Sequence, residues 1–244
     1  MVELKLLPRR IALGLFGVFL LLLICYAVVV VFRLQAGDHQ LLIDPLFDFD
    51  REGNFPSWFN SVLFVLAAAA SFINGRFAHR HDPRQAARWS ALAAVMMFLS
   101  VDELVAFHEL LGQFKALHGT FYFSWMMVFG PLAAALGLWF IPFLLRLPRT
   151  IALPLAFSGV VFLTGAIGFE ILGGKIVESI TYVPSSEVTP EQWAIVARTP
   201  LYLLEVALEE SFEQCGLIIY IYAALRYLSV ANATMSVRLP SARA

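Results

Sequence analysis

Charge is scarce in this sequence. Of 244 residues, 14% are Asp, Glu, Lys or Arg and 60% are hydrophobic. Soluble domains hold about 25% charged and about 45–50% apolar residues, so a water-facing surface is out of reach for this composition. No excess of either sign exists: the net charge is −1, which leaves no basic field for nucleic acid and predicts no nucleic-acid partner. Cysteine is nearly missing. Cys25 and Cys215 both lie in apolar runs and read as small buried hydrophobes, with no disulfide framework and no zinc spacing. Internal repeats and low-complexity tracts are absent. The apolar runs do not alternate with polar residues, which disfavours a transmembrane β-barrel.

Long apolar runs are abundant instead. Six stand out: 11–32, 56–74, 89–111, 121–145, 151–173 and 201–227. Each is close to the length of about 20 residues that crosses about 30 Å of hydrocarbon as a helix. The expected fold class is all-α: a polytopic transmembrane helix bundle of about six spans, forming a single membrane domain over 1–244. Arg9 and Arg10 before the first run resemble a signal peptide, but the uncharged run outlasts the usual core of about 7–15 residues. It reads as a retained span. Pro131, Pro142 and Pro154 fall inside or near the ends of runs, where neighbouring helices can satisfy the freed carbonyls.

The basic residues alternate from loop to loop. Twelve of the 17 (Lys5, Arg9, Arg10, Arg76, Arg80, Arg84, Arg88, Arg146, Arg149, Arg226, Arg238 and Arg243) lie on one set of ends. Arg33, Arg51, Lys115, Lys175 and Arg198 lie on the other. The positive-inside rule then predicts both termini in the cytoplasm. His79 and His81, among inner-loop arginines, read as a headgroup-contacting face. The outer loops carry Asp38, Asp44, Asp48, Asp50, Glu52, Glu178, Glu187 and Glu191. In the longest of them, Thr189 and Pro190 read as the N-cap and first residue of a short helix, with Trp193 as an interfacial anchor.

Against this apolar background, eight acids fall within the expected spans: Asp102, Glu103, Glu109, Glu170, Glu205, Glu209, Glu210 and Glu213. His108 joins them. A charge at a helix centre costs about 2.5–3.5 kcal/mol on insertion scales, so such residues face the bundle interior or water. All nine map to the outer half of the membrane. On a continuous third helix, Asp102 and Glu109 would lie about 20° apart, with Glu103 and His108 on either side. Glu205, Glu209 and Glu213 form an i, i+4, i+8 stripe with Glu210 beside it. The expected packing sets this stripe against Asp102 and Glu109, with Glu170 closing the side. Gly165, Gly168, Gly173 and Gly174 would admit close helix approach.

Crowded carboxylates share protons, and carboxylates with one imidazole also suit a divalent cation, the cofactor such a site admits. The nine are therefore the candidate metal or proton site. A ferritin-like centre would need two Glu-x-x-His pairs, which this sequence lacks. A second candidate cation loop is Asp48-Phe-Asp50-Arg-Glu52-Gly-Asn54, which reads like the opening of a calcium loop without its closing glutamate.

Four segments in order carry a resemblance: Phe47-Asp-Phe-Asp-Arg-Glu-Gly-Asn-Phe-Pro-Ser-Trp58, Leu99-Ser-Val-Asp-Glu-Leu-Val-Ala-Phe-His-Glu109, Gly168-Phe-Glu-Ile-Leu-Gly-Gly174 and Leu204-Glu-Val-Ala-Leu-Glu-Glu-Ser-Phe-Glu-Gln-Cys-Gly216. The chain resembles, over about 40–230, a widespread family of uncharacterised bacterial multi-pass membrane proteins. That resemblance implies six helices in a bacterial inner (plasma) membrane. A fainter likeness is to the alkaline ceramidase superfamily of membrane hydrolases. Asp50, Glu52 and Asn54 are similar to its calcium segment, and Phe107-His108 to its first zinc ligand. Glu209-x-x-x-Glu213 stands where that superfamily has His-x-x-x-His, and the span count is six, not seven.

Three functions fit these residues. The first is an ion-coupled transporter relaying protons or a cation through Asp102, Glu209 and Glu213. The second is a metal-dependent hydrolase acting on a lipid, with His108, Glu209 and Glu213 as ligands. The third is an accessory subunit of a larger membrane complex. Expected partners are the lipid bilayer and a homo-oligomer or larger assembly.

Overall fold

The computed structural model describes residues 2–3, 7–35, 42–79, 82–112, 117–230 and 236–237. Lys5, Asp38, Arg80, His81, Lys115, Arg238 and Arg243 lie outside the described residues, as does the side chain of Glu109. Among the described residues, the regular structure is helical apart from one antiparallel pairing of Val2–Glu3 with Ser236–Val237.

Long helices occupy the six apolar runs. They are α1 (Pro8–Gln35), α3 (Phe55–Ala78), α4 (Pro83–Val105), α6 (Met126–Leu144), α7 (Arg149–Leu163) continued through α8 (Glu170–Thr181), and α10 (Pro200–Val230). Short helices sit between them: α2 (Asp44–Phe47), α5 (Phe107–Gly112) and α9 (Pro190–Val196). Four stretches are long and apolar enough to cross a membrane: Pro8–Gln35, Phe55–Ala78, Met126–Leu144 and Arg149–Thr181. Large apolar side chains point outward along them, among them Leu21, Ile24, Leu138, Leu153 and Val160. That surface suits lipid.

Local chemistry sets the helix ends. Asn54 caps α3 through a capping box with Ser57, and Pro56 occupies its first turn. Asp82 caps α4 by accepting from Arg84 N and Gln85 N. Thr189 caps α9 with Pro190 next and Gln192 closing the box, as its sequence predicts. Pro131 and Pro142 lie inside α6, and Pro154 inside α7.

Helix α10 is central. It packs against α1, α3, α7 and α8, while α3 and α4 form a close hairpin. Gly216 makes the α10–α7 approach possible, since a Cβ there would lie 2.7 Å from Phe162 N. Buried polar side chains stitch the inner part of the bundle. Ser71 and Tyr220 share a hydroxyl–hydroxyl hydrogen bond of 2.5 Å, and Asn74 Nδ2 donates to Ala224 O at 3.0 Å. Helix α6 stands apart, with only Met126 and Phe143 buried.

Four sequence expectations change. The third run is not one continuous helix: α4 ends at Val105, Ala106 turns left-handed at φ 51°, and α5 starts anew. The fourth run begins with a 3-10 turn at Gly119–Phe121, so its helix starts at Met126. The fifth run loosens into a π-turn over Thr164–Phe169. Cys25 and Cys215 are half-buried free thiols, not fully buried.

Candidate functional site

The break at Ala106 places the third run's acids. Asp102 Oδ1 accepts from His108 N at 3.0 Å, and Asp102 Oδ2 pairs with His108 Nδ1 at 2.9 Å. One carboxylate thus caps the first turn of α5 and holds its imidazole. Helical arithmetic carried past Val105 therefore fails, and the expected alignment of Asp102 with Glu109 goes with it. His108 packs edge-on to Trp125 at 5.4 Å between ring centres. The Trp125 indole donates to Glu170 Oε1 at 2.8 Å.

The α10 stripe forms the facing wall. Its nearness to the fifth run depends on glycine. A Cβ on Gly165 would lie 2.8 Å from both Glu209 O and Glu213 Cγ, and one on Gly173 would lie 2.9 Å from Glu205 Oε2. Gly174 serves Tyr122 instead, and Gly168 meets only Thr164 of its own turn. The π-turn carrying Gly165 is a rare form of helix, frequent at functional sites. Glu209 is hydrogen-bonded to Glu170 and within the reach of Glu205. A contact between two carboxyl groups is satisfied only by a shared proton or a cation.

These groups line one cavity of about 1390 Å³. Its wall includes Asp102, Glu103, His108, Glu170, Glu205, Glu209, Glu210 and Glu213, so every described member of the sequence-predicted cluster converges there. Asp50 and Glu52 join from the loop before α3. The candidate cation loop is thereby divided. Asp48 is taken by Arg33, whose Nη2 lies 2.5 Å from both Asp48 Oδ2 and Asp44 Oδ1. Asn54 caps α3 and donates to Asp48 O. Only Asp50 and Glu52 face the cavity. Asp50 Oδ1 accepts from Tyr202 at 2.7 Å. Its exposed surface is cavity wall, and burial among protein atoms, joined by the Asp48 charge, pushes its carboxyl up to about 7 against the pull of the Tyr202 hydroxyl and Arg33.

Three site residues escape a search for charge alone. Asn60 is fully buried beside Glu103 and Glu213, and neither end of its amide completes a hydrogen bond of good geometry. Trp125 orients Glu170, and Tyr202 orients Asp50. An asparagine inside the apolar run 56–74 was the available signal for the first. Trp193, expected as an interfacial anchor, lines the cavity and tilts against Tyr202 at 6.5 Å. Among the described residues, no three His, Cys, Asp or Glu side chains form a group that could hold a metal ion.

A family model described as "Domain of unknown function (DUF8692)" matches residues 12–228. The chain belongs to that family. No curated protein matches it and no solved structure matches it, so the ceramidase likeness receives no support from either comparison.

Proposed function

We propose that the protein is a six-span protein of the bacterial plasma membrane whose acidic cavity opens to the outer face and binds a cation in exchange for protons, as in ion-coupled transport. One observation carries this reading: nine carboxylates and His108 crowd a single cavity inside a lipid-facing bundle, beside only one arginine, Arg51, among the described lining residues. Like charges at such spacing bind protons or a cation, or expel one another.

Helices α4 and α10 complete the six spans. Their acids exclude them on composition, but those acids turn into the cavity, so the outward faces remain apolar. The twelve-to-five division of basic residues supports cytoplasmic termini. The loops that meet the cavity, at Asp50, Ser185 and Trp193, then lie outside. A metal hydrolase is less favoured, because among the described residues no three His, Cys, Asp or Glu side chains form a group that could hold a metal ion.

Calorimetric titration of the purified protein with Na⁺, Ca²⁺, Mn²⁺, Zn²⁺ and tetramethylammonium, each in two buffers of different ionisation enthalpy, tests the reading. Binding of at least one cation with proton release is expected. Binding of none, with no proton release, refutes it.

A further inference from the structure

The cavity has two chemically distinct lobes. Its outer lobe holds the carboxylates. Its other lobe is apolar and runs down between α4, α6 and the α7 π-turn, walled by Leu92, Met96, Leu132, Leu136, Phe140 and Phe162. Trp125 and Phe140 mark its extent along α6, about 22 Å at 1.5 Å per residue. Sites for drug-sized ligands occupy about 300–1,000 Å³, whereas this one measures about 1390 Å³. An inorganic cation fills none of the apolar part.

We propose that the cation taken by this cavity is the amine head of a single-chain amphiphile, with the head among Glu103, Glu209 and Glu213 and the chain along α6. The proposal rests on the cation-binding reading and names its ligand class. Charge complementarity argues for the head, and the continuous apolar lobe argues for the chain. A buried polar group points to a missing ligand independently of the charge count: Glu205, 3% exposed, lines the cavity and its Oε1 has no hydrogen bond. Unsatisfied buried polar groups are costly, and water brought in with the bound cation would satisfy it. Trp125 and Phe129 at the junction of the lobes offer aromatic faces to the same cation.

Entry follows from packing. Helix α6 touches α4 and α7 sparingly, and its flanks are apolar, so a chain can pass from the bilayer between α4 and α6. Gly137 lines the apolar lobe with nothing within 4 Å of where its Cβ would stand. A large side chain there fills the lobe without displacing backbone.

The protein in nanodiscs of neutral phospholipid is titrated with dodecyltrimethylammonium, tetramethylammonium and an uncharged dodecyl glycoside, with empty nanodiscs subtracted. Dodecyltrimethylammonium should bind saturably and about tenfold or more tighter than either partial probe, because it alone buries both chain and head. Gly137→Phe should remove that advantage and leave tetramethylammonium binding unchanged. Glu213→Gln should weaken both cations. Retained tetramethylammonium binding reports an intact fold, and Gly137→Leu replaces Gly137→Phe if the larger change abolishes it. Equal binding of the two cations, or a glycoside as tight as the long-chain cation, overturns the amphiphile and leaves the cation site standing. Binding of neither cation, with proton-coupled binding of a metal ion, overturns it equally. If no cation of any kind binds, both readings fall.

Discussion

Replacing Gly165 by alanine tests how α7 and α10 build the site. The added Cβ would stand 2.8 Å from Glu209 O and Glu213 Cγ and 3.0 Å from Glu213 N. Two of these are backbone atoms, so a rotamer change cannot relieve the clash. Overpacking of this kind costs about 1–3 kcal/mol, against about 0.5–1 kcal/mol gained by removing a helical glycine. The net expectation is a loss of about 1–2 kcal/mol. For a chain of this length that lowers the melting temperature by about 2–8 °C, at about 2–4 °C per kcal/mol. Gly159→Ala is the control: it lies on the same helix with nothing within 4 Å of its Cβ position, and should be neutral or raise melting by about 1–4 °C. Thermal unfolding in detergent, followed by circular dichroism, reads both. The clash must also push Glu209 and Glu213 away from Glu170, so cation binding should weaken in Gly165→Ala alone. Equal melting of the two variants would mean that the π-turn does not press on α10, and the described wall of the cavity would be wrong.

Three further outcomes follow from the same geometry. In a background lacking Cys25 and Cys215, Glu187→Cys should react with an impermeant thiol reagent added outside cells and Ser236→Cys should not; the opposite pattern inverts the topology. Asp50 is held up to about 7, chiefly by burial, so its protonated form is favoured by folding. Its contribution is complete below the free value of about 4 and is lost as pH rises through about 7. Wild type should therefore lose melting temperature between those limits, and Asp50→Asn, which can still accept from Tyr202, should lose less; parallel curves would remove Asp50 from the coupling. Glu213→Gln should cost little stability if protons or an organic cation occupy the site, and EDTA should leave wild-type melting unchanged. A clear EDTA-induced drop that Glu213→Gln abolishes would establish a metal ion instead.

Much of this arrangement is legible from residue type and spacing. A run of about 20 apolar residues has one low-energy form in hydrocarbon, because only a helix satisfies its own backbone there. The six runs accordingly become the long helices. The convergence of the acids follows from cost: Glu205, Glu209 and Glu213 on one face of α10 must turn inward together, and the third and fifth runs, with Asn60 of the second, offer polar company. Gly165 and Gly173 mark where that approach is closest, since no other residue fits against the α10 backbone or the Glu205 carboxyl. Gly168 is indistinguishable from them in sequence, yet meets only its own turn. Small size permits contact without specifying it.

The remainder depends on competition between local and tertiary bonds. Nothing in Asp-Glu-Leu-Val-Ala-Phe-His announces a break at Ala106, because alanine is the strongest helix former and rarely turns left-handed. The turn is stabilised from outside its own position. Asp102 offers a carboxylate to His108 N and Nδ1 together, and two charge-assisted bonds of about 3 Å outweigh the strain at one alanine, about 1–2 kcal/mol. The same competition divides the Asp48–Asn54 loop: Arg33, eleven and fifteen residues back, claims Asp44 and Asp48 and leaves Asp50 to Tyr202. An arginine at the end of α1 thereby decides which carboxylate reaches the cavity. Sequence spacing alone would rank Asp48 and Asp50 as equivalent. Arg33→Gln should therefore release Asp48, weaken the clamp on the loop and loosen the Asp50–Tyr202 bond without touching any acid in the spans. A cation affinity and proton count unchanged by Arg33→Gln would show that the loop carboxylates stand outside the working site.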